Sequence, residues 1–149
     1  MAMPSRNGAS SGLEGDSSVA VSEAPCFDSP FVDSLGIERV TCSAGTCEVV
    51  LPLRSAHMNA WGIAHGGISM TLSDISLALA ARSVADSDTG VLTIELKISF
   101  IQAGRGQLYA RGRLLHRSAK MAYCEGEIVD GSGLLVAKSL GTFKYATKR

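Results

Sequence analysis

From Gly66 to Ala81 the chain reads Gly-Gly-Ile-Ser-Met-Thr-Leu-Ser-Asp-Ile-Ser-Leu-Ala-Leu-Ala-Ala, with Asp74 the only ionisable group before Arg82 closes the run. After the opening glycine pair nothing breaks a helix, and a cation suits its far end, so the stretch predicts a helix of about four turns. A helix that is apolar on most faces has to be wrapped by the rest of its domain. Asp74 is therefore expected in a core or a cleft. Burial without a partner favours the neutral acid there, and a carboxylate kept in such a place is a candidate for chemistry.

The 149 residues suffice for one domain with a substantial core. Residues 1–25 are rich in Ser, Gly and Ala and poor in bulky apolar groups, so they predict a disordered segment ahead of a single domain over 26–149. Fourteen basic residues balance fourteen acidic ones, which gives nucleic acid no electrostatic hold; an anionic ligand needs a local basic cluster. The cysteines at 26, 42, 47 and 124 form no CxxC pair and have no His partner at metal spacing, and they are expected as free thiols of a reducing cytoplasm. Cys42 and Cys47 flank a Ser-Ala-Gly turn and could face each other across a hairpin. The apolar run from Ile63 to Ala81 is broken by His65 and Asp74 and is too short and polar to span a bilayer. No apolar signal core is read at the N-terminus, so a cytoplasmic protein without membrane contact is expected.

Around the long helix the pattern is that of strands. Ser29-Pro30 to Leu35-Gly36 predicts a short helix plugging one end of the core. Ile37–Cys42 and Thr46–Leu53 predict a hairpin about Gly45, with Pro52 putting the second strand's end at an edge. Val91–Phe100 alternates, which places Ile94, Leu96, Ile98 and Phe100 on a core face and Thr93, Glu95, Lys97 and Ser99 on a wet one. Gln107–Leu115, Lys120–Val129 and Leu134–Tyr145 follow at hairpin distances. Ala122, Cys124, Gly126 and Ile128 make one face of the third of these strands, small enough for a helix to lie close. The fold class is α+β, an antiparallel sheet curled around one helix.

Chemistry concentrates at the helix and its entry loop, where His57 and Trp61 also lie. The first turn of a helix carries free N–H groups and partial positive charge, so it can hold a carbonyl oxygen that becomes an oxyanion. Gly66 and Gly67 let a ligand approach that backbone. Asn59 and His65 can add a polar donor or hold the loop in shape. Asp74 can attack a carbonyl or deprotonate water. At 1.5 Å per residue, however, Asp74 stands about 12 Å along the axis from Gly66, too far for both to act on one carbon. A two-fold dimer with antiparallel helices would join the helix start of one subunit to the carboxylate of the other, giving two composite sites.

Asn59-x5-His65-Gly66-Gly67-x6-Asp74, the strand Thr93–Phe100 and the closing Leu135-Val-Ala-Lys-Ser-Leu-Gly-Thr-Phe143 together resemble the hotdog-fold acyl-CoA thioesterases of the phenylacetic-acid-degradation PaaI type. The resemblance covers roughly residues 30–145. It implies a hotdog dimer, commonly paired into a homotetramer, that hydrolyses an aromatic or medium-chain acyl-CoA to the acid and CoA without metal or prosthetic group. It further implies that the Gly66 amide polarises the thioester carbonyl and that Asn59 positions water or supports the loop. Asp74 of the partner subunit becomes nucleophile or general base, with Thr93 orienting water. Arg117, Ser118 and Lys120, in the bend between two strands, resemble the place where such enzymes meet the CoA phosphates, with Arg105 a weaker candidate. Two other readings stay open: a hotdog dehydratase or hydratase acting on a CoA or carrier-protein thioester and pairing His65 with Asp74, and a protein that binds acyl-CoA without turning it over; a carrier-protein thioester in place of acyl-CoA as the substrate stays open too.

Overall fold

A computed structural model describes residues 29–147; the segment expected to be disordered, and Cys26, lie outside this range. Six strands form one antiparallel sheet in the order β1-β2-β4-β5-β6-β3: β1 Glu38–Ser43, β2 Thr46–Pro52, β3 Thr89–Phe100, β4 Gln107–Arg117, β5 Met121–Asp130 and β6 Leu135–Thr147. A short helix, α1 (Pro30–Leu35), precedes them, and the long helix, α2 (Gly66–Arg82), lies between β2 and β3 in the chain. Seventeen residues make α2 about 25 Å long. No helix among the described residues is long and apolar enough to cross a membrane.

The sheet wraps α2 because its helix side is built from small residues. In register across the strands run Cys47, Gly112, Gly126, Ser139 and Ile98. A Cβ on Gly112 would run into the backbone carbonyl of Ser76, and one on Gly126 would stand 2.5 Å from Leu77 Cδ1 and 2.8 Å from the Arg111 carbonyl. Gly141, opposite Cys124, is pressed by Leu77 and Phe143 in the same way. The helix answers with Ser69, Ser73, Ser76 and Ala80, all buried. Leu72, Leu77, Phe143 and Ile128 fill the spaces beside this contact and are almost wholly removed from water. Ala122, Cys124, Gly126 and Ile128 do line the helix side of β5. Burial pushes the Cys124 thiol up to about 11, so it sits there as a neutral apolar group.

On the opposite face a row of charge crosses the sheet: Glu48, Arg111, Glu127 and Lys138 are direct neighbours in register. Arg111 bonds Glu48 and reaches Glu127 at 3.7 Å, while Lys138 donates to Glu127 at 2.9 Å; Arg113 pairs with Glu125 in the adjoining row. The Lys138 hydrogen bond is the main cause holding the Glu127 carboxyl below its ordinary value.

Three details differ from the sequence reading. Cys42 and Cys47 are disulfide-bonded rather than free; they stand opposite each other in the β1–β2 hairpin with Cα atoms 4.0 Å apart. Pro52 stands on an inner strand, β2, rather than an outer one, but it lies past the last β1 pair, Glu38–Val50, and pairs only with Gln107 of β4, so the strand's end is open on the β1 side. The third concerns β3, whose ladder with β6 shifts register between Thr93 and Glu95. Ile94 is the extra residue of this bulge and is exposed, whereas Val91, Leu96 and Ile98 pack on the core side. The strict alternation that put Ile94 inside and Thr93 outside is broken at that point.

The helix–sheet contact predicts that Gly112→Ala lowers stability by about 1–3 kcal/mol or more, because the Ser76 backbone cannot yield. Gly131→Ala, in open space, should be near neutral. Urea unfolding midpoints of the two variants check this.

Candidate active site

The loop into α2 is a fixed piece of structure. After a single 3₁₀ turn, Ser55–His57, an isolated bridge pairs Met58 with Ala64. Asn59 Oδ1 accepts from the amides of Trp61 (3.0 Å) and Ile63 (3.4 Å), and its backbone closes the same loop through Ile63 and Gly62. Asn59 thus works here as the residue that folds the loop, in the manner of an Asx turn. Trp61, the only tryptophan in the chain, projects from this loop with 82% of its surface in water. It belongs to no core cluster among the described residues. Arg105 Nη1 holds the neighbouring Gly62 carbonyl at 3.3 Å.

Behind the loop, His57 is buried, and its Nδ1 accepts from the Arg54 amide at 3.1 Å. The Arg54 guanidinium caps the end of α1 through the Ser34 and Leu35 carbonyls, and the His57 carbonyl receives the His65 amide. Burial first, and the Arg54 charge second, hold the His57 pKa below its ordinary value. The buried ring is therefore neutral, which its role as acceptor requires.

His65 occupies the N-cap of α2. Its Nδ1 accepts from the Gly67 amide at 3.0 Å, and its carbonyl accepts from Ile68 and Ser69. Of the four leading amides of the helix, Gly66 is the one that this cap does not take. Nothing in the fold calls for glycine at 66: its φ is not in the left-handed region, and a Cβ would meet only Phe100, at 3.5 Å, an ordinary contact. Its effect is to leave an amide and an aromatic ring side by side without a methyl group over them.

Gly66, Met70 and Asp74 follow at four-residue intervals along one flank of α2. This flank is the less covered one: Asp74 is half-buried rather than enclosed, and Met70 is 43% exposed. Strand β3 borders it at both ends. Phe100 touches Gly66, and the Thr93 hydroxyl donates to Asp74 Oδ1 at 2.7 Å. The bulge next to Thr93 is what aims that side chain at the helix. Two groups result. Asn59, His65 and Gly66 are together at the helix start, and Asp74 and Thr93 are together at its middle, about 12 Å further along the axis.

The third set of candidates lies at the opposite end of α2. Arg117 donates to the Val84 carbonyl and lies 5.0 Å over the Tyr145 ring, whose hydroxyl bonds the Ala81 carbonyl. Ser118 Oγ is engaged with the Lys120 and Met121 amides and shapes the β4–β5 turn, from which Lys120 is exposed. Within one chain this cluster is about 25 Å from Gly66.

The sequence model of the thioesterase superfamily matches residues 62–137, just over half of the chain. The chain belongs to the thioesterase superfamily. The matched segment takes in Gly66, Asp74, Thr93 and the Arg117–Lys120 turn, and begins three residues after Asn59. A candidate esterase of Saccharolobus solfataricus is 32% identical over 110 residues, covering 73% of this chain and 78% of that protein. Among solved structures, a conserved protein of Pseudomonas aeruginosa superposes with a TM-score of 0.76 at 33% identity, covering 79% of this chain and 94% of that one. A variant of the phenylacetic acid degradation protein PaaI from Thermus thermophilus gives 0.70 at 27% identity, over 78% and 98%. The six-stranded sheet around one long helix is the hotdog fold of this thioesterase superfamily.

For this thioesterase-superfamily chain, the strand reading missed Phe100 as a site residue and placed it in the core. It is 57% exposed, and no pattern in the strand marks it as different from Ile98. Met70 was concealed in the same way within an apolar helix.

The buried His57 generates a pH dependence. Its folded pKa is lowered, so the unfolded chain binds the proton more readily, and stability is full above the ordinary value near 6.5. Thermal midpoints should fall as pH drops from 6.5 toward the lowered folded value. In His57→Gln that part of the pH profile should be absent.

Proposed function

We propose that this chain is a cytoplasmic acyl-CoA thioesterase of the PaaI type, hydrolysing an aromatic or medium-chain acyl-CoA to the free acid and CoA at two composite sites in a dimer. The observation that carries this reading is the Thr93–Asp74 pair lying next to strand β3, at the end of the sheet. Among the described residues β3 has β6 as its only neighbour, runs for twelve residues and exposes Leu92 and Ile94. A long edge with apolar side chains is a ready template for a second strand. Two copies joined along β3 by a two-fold axis bring their α2 helices together in opposite directions, and the dimers pair further into a tetramer.

In that arrangement the thioester carbonyl lies on the Gly66 amide, whose N–H strengthens its bond as the oxygen becomes negative. Asp74 of the partner subunit, held by its own Thr93, supplies one carboxylate oxygen for Thr93 and leaves the other for the reaction. It takes a proton from water that attacks the carbonyl carbon, or attacks that carbon itself. When water attacks, collapse of the tetrahedral species breaks the C–S bond, leaves the free acid, and the departing CoA thiolate takes back the proton that Asp74 removed from the water; when Asp74 attacks, the same collapse leaves a mixed anhydride, which a water then hydrolyses to the acid and the Asp74 carboxylate while the released proton goes to the thiolate. His65 and Asn59 serve as supports, because the Nδ1 of one and the Oδ1 of the other are spent on the helix cap and the loop. That expenditure favours carbonyl attack over a dehydratase pairing of His65 with Asp74. The antiparallel helices would carry Arg117 and Lys120 to the partner's site, where Lys120 and the N–H groups that Arg117 does not use on Val84 can meet the CoA phosphates. Ser118 then keeps the turn in shape. The residues named need no metal or prosthetic group for these steps.

Thiol release from a panel running from acetyl-CoA to phenylacetyl-CoA tests the reading. Asp74→Asn should reduce turnover by about a hundredfold or more with the fold and dimer intact. Thr93→Val should lower kcat while Thr93→Ser retains most of it. Gly66→Ala should fold normally, with a helix at least as stable, and lose activity. Wild-type turnover in Asp74→Asn would remove Asp74 from the mechanism, and tight binding of intact acyl-CoA without thiol release would make the protein a binder.

A further inference from the structure

We infer that Phe100 selects the acyl group, favouring a planar aromatic acyl chain over an alkyl chain of similar size. The inference rests on the thioesterase reading for the location of the carbonyl, and on the structure for what stands beside it. A Cβ built on Gly66 lies 3.5 Å from both Cε1 and Cζ of Phe100, so the ring edge is in contact range of the helix start. The amide nitrogen and this ring belong to one small surface. A carbonyl oxygen about 3 Å from the Gly66 nitrogen puts the first atoms of its acyl chain within a few ångströms of the ring.

Phe100 belongs to no core cluster among the described residues. It is 57% exposed at the end of β3, and the neighbouring Ile101 is 48% exposed, with its amide fixed to the Val136 carbonyl at 2.8 Å. The backbone is therefore pinned, and the ring stands beside the Gly66 end of α2. Met70, one turn further along α2 on the Gly66 flank, is exposed as well and offers a polarisable side chain to the same region. A flat π-system meeting Phe100 in an offset or edge-to-face arrangement gains a contribution beyond its buried area that an alkyl chain does not obtain.

The test compares two unreactive thioethers of CoA, one carrying a phenacyl group and one a 2-oxohexyl group, by calorimetry on the full chain. The wild type should bind the phenacyl probe more tightly. Phe100→Leu should lower the ratio of phenacyl to 2-oxohexyl affinity by roughly two- to tenfold, and Phe100→Tyr should preserve it. An unchanged ratio in Phe100→Leu with the fold intact by circular dichroism, a wild-type preference for the alkyl probe, or binding of neither probe would overturn the inference. Thiol release by the wild type and by Asp74→Asn is measured beside it. An aromatic preference in binding without any turnover would remove the hydrolase reading and leave Phe100 as the selector; turnover with an unchanged ratio would do the reverse.

Discussion

The contact between the middle of α2 and the glycines of β4 and β5 sets the geometry of everything else. The main chain at Ser76 and Leu77 rests on Gly112, and the Leu77 side chain rests on Gly126, with no space for a methyl group at either glycine. A helix seated that deeply cannot roll or slide, because each small displacement drives main-chain atoms into one another. Its flanks are then fixed too. One turn before the contact, Asp74 is delivered to Thr93, and two further turns back Gly66 arrives against Phe100. The placement of the candidate residues is thus inherited from the helix–sheet contact in the core.

A rigid helix also bears on the proposed two-subunit site. The Gly66 amide and the Asp74 carboxylate are fixed on one rod about 12 Å apart, so no loop movement within a subunit can bring them to one carbon. What β3 leaves uncovered at the edge of the sheet is the direction from which the missing half can come. The entry loop complements this: its polar groups are turned inward by Asn59, His57 and Arg54, and they hold the helix start still instead of reaching outward.

Much of this was legible in the sequence, and the parts that were not share a cause. The run 66–82, the hairpins and the small face of β5 all follow from local composition, and local composition is what periodicity reads. The bulge at Ile94 does not, because a register shift depends on how β3 meets β6, and the residues on either side look like an ordinary alternating strand. That one residue decides on which side of the strand Thr93 stands: it remains exposed, but its hydroxyl reaches Asp74. The pairing of Cys42 with Cys47 was visible as a geometric option, but an argument from compartment set it aside, and strand register brought the two together. Phe100 and Met70 looked like core because apolar residues carry no mark that separates a packed position from an exposed one.

The charged row on the outer face has a meaning for assembly of the sheet that its modest energy conceals. Exposed ion pairs of this kind each contribute little to stability. Yet Glu48, Arg111, Glu127 and Lys138 alternate in sign along one straight line, and Arg113 with Glu125 repeats the pattern beside it. A strand that slipped by two residues would leave fewer of these charges paired, and one that slipped by a single residue would turn its charged side chains toward the helix. There the glycine track leaves them no volume. The two faces of the sheet therefore act as a key and a check, and the alignment of the four strands satisfies both.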